Sequence, residues 1–99
     1  RSAARYAALR QSLGEPDPFR LRYRQIIREL ITDIIVSACQ PKEVSIMIKT
    51  KSKELPIEDQ EKFIESVESE LLSLHEGNFA RYKIRPSEFK RWQEIWQTN

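Results

Sequence analysis

From Phe19 onward the apolar residues recur at helical spacing: Phe19, Tyr23, Ile26, Ile27, Leu30, Ile31, Ile34, Ile35 and Ala38. That period lays them along one side of an α-helix, with Arg20, Arg24, Arg28 and Glu29 off that side. Asp17-Pro18 supplies the start, an acidic N-cap followed by proline at the first helical position. The pattern predicts one helix over 18–39. Its tail, Ile34-Ile35-Val36, is β-branched and also reads as a strand, but the unbroken period before it favours the helix.

The next apolar set is shorter. Val44, Met47, Ile48 and Leu55 fit a helix opening after Gln40-Pro41. Residues 44–49 also fit a short strand, because Ile46 and Ile48 alternate with Met47 and Lys49. Helix is preferred, since a lone strand has no visible partner to pair with. Leu55-Pro56 opens a further helix to about Glu76, with Ile57, Phe63, Ile64, Val67, Leu71 and Leu74 as its apolar stripe. Glu58, Asp59 and Glu61 stand in its first turn, where the helix dipole favours negative charge. Gly77 is placed to end it. Asn78 can cap a short helix to Tyr82 or Lys83. Ser87 can cap a last helix carrying Phe89, Trp92, Ile95 and Trp96. At the other end, Ser2 to Leu13 reads as a weakly hydrophobic first helix, capped by Ser2, stopped by Gly14 and loosely docked.

These elements predict an all-α fold, a compact bundle of four to six helices forming one domain over 1–99. Composition agrees. Only Gly14 and Gly77 are glycine, too few for the turns and bulges of sandwiches and barrels. No apolar run reaches the roughly 20 residues that span a bilayer. The one cysteine, Cys39, cannot form an internal disulfide, so a reducing, cytoplasmic setting and a buried, inert thiol are expected. The chain begins at Arg1 rather than methionine, which allows for a piece cut from a longer protein.

Charge changes the picture more than composition does. The net charge of +2 conceals separated blocks. Residues 1–28 hold seven arginines against Glu15 and Asp17, a net of +5; residues 56–77 hold seven acids against Lys62, a net of −6. Residues 78–99 hold five bases against Glu88 and Glu94, a net of +3. The basic ends can meet an acidic partner or fold against the acidic helix between them.

Candidate chemistry is sparse. One histidine and one distant cysteine do not make a zinc site, and no metal or cofactor is expected. His75 lacks a nucleophile at workable spacing, since Ser73 two residues away points elsewhere on a helix. Its expected role is a cation or hydrogen-bonding group at a helix C-terminus. The stretch from His75 to Arg81 resembles part of the H-P-F-x-x-G-N-G-R motif of Fic-type AMP-transferases. It lacks the Pro-Phe pair and the second glycine, so that activity is not carried over. No catalytic constellation is visible.

The segment from Phe79 to Trp92 resembles the turn and recognition helix of transposase-type helix-turn-helix domains. In those, a short helix leads to an aliphatic residue, a Ser-Pro-Ser-like cap and a helix ending in Arg-Trp. Ile84, Pro86-Ser87 and Arg91-Trp92 match; Phe79 replaces a small residue and Lys83 a glycine. The resemblance implies a non-enzymatic nucleic-acid-binding module acting through Arg81, Lys83, Arg85, Lys90 and Arg91, with Ser87 capping a helix that enters a major groove. The alternative is a protein-interaction domain, with Trp96 as anchor or with Arg20 and Arg24 as contacts. An accessory domain of a larger enzyme is a third reading. No membrane partner is expected.

Overall fold

The computed structural model describes residues 17–77 and 79–98. The expected helix over 2–13, its Ser2 cap, the Gly14 stop and the Asn78 cap lie outside the described residues. Among the described residues, five helices run in order: α1 (Pro18–Arg22), α2 (Arg24–Ser37), α3 (Pro41–Ser52), α4 (Ile57–His75) and α5 (Pro86–Thr98). Among the described residues there is no strand, so the all-α bundle is as expected.

The Asp17-Pro18 start is as expected, the Asp17 carboxylate accepting the Phe19 N–H at 2.9 Å. The single helix over 18–39 is not. It divides at Tyr23, whose φ of −103° and ψ of 17° leave the helical region. The Tyr23 phenol donates to the Asp59 carboxylate on α4, and its ring meets Phe19 at 4.9 Å and Phe63 edge-on at 6.5 Å. These tertiary contacts accompany the local departure from helical geometry, which the apolar period could not announce. α2 then stops at Ser37, and Ala38 is left-handed with φ 52°.

Residues 44–49 are helical. Pro41 opens α3, and the Glu43 carboxylate accepts the Gln40 N–H at 3.3 Å. Val44 and Ile48, one turn apart, face inward. Along α4, Phe63, Val67, Leu71 and Leu74 are buried as expected, but Ile57 is 84% exposed. Gly77, with φ +101°, ends the helix, its N–H reaching the Leu74 carbonyl at 2.9 Å.

The short helix expected up to Tyr82 or Lys83 is absent: residues 80–82 form a turn and 83–85 carry no regular structure. α5 opens at Pro86, one residue before the expected cap. Ser87 therefore sits inside the first turn, and the Arg85 carbonyl receives the Phe89 N–H at 3.1 Å. The core is built around α2, where Ile31 and Ile34 are fully buried, with α3, α4 and α5 packed on it. No helix among the described residues is long and apolar enough to cross a membrane.

Candidate nucleic-acid interface

Between α4 and α5 the chain alternates. Tyr82 and Ile84 are buried, while Arg81, Lys83 and Arg85 are exposed. The inward residues dock the segment on the core, and the outward ones present a line of cations. Lys90 and Arg91 continue the exposed charge on α5, where Phe89 and Trp92 face the core. Among the described residues, Lys83, Arg85, Lys90 and Arg91 have no acidic partner in an ion pair.

Arg81 differs from them. Its guanidinium lies 2.6 Å from the Oε2 of Glu70, a carboxylate on the inward side of α4. The Tyr82 phenol donates to the same oxygen at 2.6 Å. Arg20, from α1, approaches Oε1 at 3.9 Å. Arg28 of α2 donates to the Arg81 carbonyl and lies 5.5 Å from the Tyr82 ring centroid, with Arg81 5.9 Å from the same ring. Burial, and then the bond to Glu70, pushes the Tyr82 phenol well above its usual pKa.

The sequence separated the N-terminal arginines from the C-terminal basic segment. The structure joins them through Glu70 and the Arg28–Arg81 contact. Arg24 is exposed one turn before Arg28 on α2. Among the described residues, the basic ends fold against α4 through Arg20, Arg22 and Arg81, which meet Glu70 and Asp59. Glu58, Glu61, Glu65 and Glu68 remain exposed on the outer side of α4.

Sequence reasoning missed Glu70, Tyr82 and Arg28. A signal for the first existed: Glu70 keeps helical register with Phe63, Val67 and Leu74, a carboxylate on an apolar stripe. For Tyr82 it was the two-residue alternation of Arg81, Lys83 and Arg85 with Tyr82 and Ile84.

Trp96, the alternative anchor, is half-buried. Its ring lies 5.2 Å from His75 and 5.6 Å from Trp92. Of the two roles expected for His75, cation or hydrogen-bonding group, burial disfavours the cation by lowering its pKa. His75 Nε2 and Trp92 Nε1 are both buried without a hydrogen-bond partner among the described residues. Cys39 is half-buried rather than buried, its sulfur 3.7 Å from that of Met47. Among the described residues, no three His, Cys, Asp or Glu side chains come together as a metal site. No protein-family model matches this chain, and neither does any curated protein or solved structure.

Proposed function

We propose that this domain binds nucleic acid through the exposed face formed by Lys83, Arg85, Lys90 and Arg91, extended by Arg24 and Arg28. The observation that carries the reading is the set of four exposed cations between residues 83 and 91, held by buried neighbours and without an acidic partner among the described residues. Cations held in this way release counterions from a phosphate backbone, which is the main source of sequence-independent affinity.

Lys83 and Arg85 flank the buried Ile84 and both stand exposed, and Lys90 and Arg91 add cations from the first turns of α5. This docking does not require a tight helix-turn-helix: residues 76–85 separate α4 from α5, more than the three or four of that motif. The half-buried lone thiol of Cys39 fits work in a reducing compartment such as the cytoplasm.

The test is binding to duplex DNA, single strands and RNA across a salt series. Affinity should fall steeply with salt, and Lys90→Ala or Arg91→Ala should flatten the slope by about one. If no nucleic acid binds with salt sensitivity at micromolar concentration, the reading falls. The protein-interaction reading then takes its place, with Trp96→Ala removing partner binding.

A further inference from the structure

Glu70 is the one buried carboxylate in the described core, and its surroundings are unequal. The Tyr82 phenol and the Arg81 guanidinium each sit 2.6 Å from Oε2, whereas Arg20 stands off at 3.9 Å from Oε1. Arg81 is at the same time a member of the outward line with Lys83 and Arg85, and about half of its side chain is exposed. It stands between two uses: pairing with the carboxylate behind it or with a phosphate in front of it.

We propose that Glu70 is a positioning residue of this face, which holds Arg81 back from the ligand. The inference rests on the nucleic-acid reading above. Glu70 cannot follow a departing arginine, because its side chain is inward-facing and tied to Tyr82. An arginine that leaves for a phosphate abandons a buried carboxylate with one fewer donor, and such a group is costly to leave unpaired. Arg81 is therefore withheld from a phosphate ligand, which meets Lys83, Arg85, Lys90 and Arg91 alone. Glu70 thus sets how many cations the face offers.

The experiment compares Glu70→Gln with Glu65→Gln. Both remove one negative charge, but Glu65 is exposed on the outer side of α4. Glutamine at 70 keeps an acceptor for the Tyr82 hydroxyl, and thermal melts check that each variant folds. Freeing Arg81 should add one counterion released. With a short DNA duplex at ~0.1 M salt, Glu70→Gln should bind about tenfold tighter, with a salt slope steeper by about one. Glu65→Gln should change affinity much less, its charge being screened over about 10 Å. Adding Arg81→Ala to Glu70→Gln should cancel the gain, whereas Arg81→Ala alone should have little effect. An equal response to the two glutamine variants overturns the proposal, as does a gain that survives in the double variant. A sulfonate cation-exchange column gives a second readout that needs no nucleic acid. If no variant binds DNA, the nucleic-acid reading fails, and later elution of Glu70→Gln than of Glu65→Gln still decides whether Glu70 masks Arg81.

Discussion

The His75 imidazole lies against the Trp92 indole, ring centroids 4.7 Å apart, and this contact fastens the last turn of α4 to the middle of α5. Burial lowers the His75 pKa from 6.5. In the unfolded chain the same ring takes up a proton near pH 6.5. The unfolded state therefore binds more protons as pH falls below that value, and stability drops. Above pH 6.5 the contribution is fully present. Denaturant melts between pH 7.5 and about 5 should show this decline, and His75→Gln should flatten it. Trp92 and Trp96 are the only tryptophans and both touch His75, so their emission reports the change directly. A melt independent of pH in this window would contradict the placement of His75.

Ile31 is fully buried in the middle of α2. Ile31→Ala should cost roughly 2–5 kcal/mol in urea melts, the usual range for an aliphatic side chain lost from a core. Ile57, 84% exposed at the start of α4, should tolerate Ile57→Ala within about half a kcal/mol. Equal costs at the two positions would mean that α4 is rotated from the face described.

Ala38 ends α2 at φ 52°, a conformation that costs a residue with a side chain roughly 1–2 kcal/mol. Ala38→Gly should raise stability by up to about 1 kcal/mol, after the larger backbone entropy of glycine in the unfolded chain is subtracted. A measurable loss of stability in the same melts would count against the left-handed turn.

Tyr82→Phe removes the hydroxyl that donates to Glu70 while keeping the ring. It should cost about 1.5–3 kcal/mol, the range for hydrogen bonds to charged groups. Because the folded phenol titrates above its usual pKa of 10.0, the unfolded chain loses this proton first as pH rises. The stability that Tyr82 contributes is thus present below pH 10 and lost above it, and the alkaline limb of the stability profile should shift in the variant.

Most of the fold was legible because the apolar spacing of α2, α4 and α5 encodes which side is buried. Val44 and Ile48 already carried the helical period of α3, and only Ile46 obscured it. The break at Tyr23 was not legible, because its partner Asp59 lies 36 residues away and nothing local marks the bond. Ile57 misled because an apolar residue at the first position of α4 reads in sequence like the buried ones that follow it. In the candidate site, the exposed cations could be read from composition. Their division into free and restrained members could not. Arg81 and Lys83 look alike in sequence, and they differ only because Glu70 stands behind one of them.

Two Arg-Tyr pairs grip α4 in the same manner. Arg22-Tyr23 meets Asp59, and Arg81-Tyr82 meets Glu70. Asp59 and Glu70 are eleven residues apart, about three turns, so both point to one side of the helix. α4 therefore works as a rivet through the chain, holding an early stretch at its start and a late one nearer its end. The two fastenings do not close with equal ease: one spans 36 residues and the other 12. Loop entropy alone makes the longer closure about 1 kcal/mol harder. By that measure the late stretch and α5 have the shorter search, and Arg22-Tyr23 is the harder fastening to close.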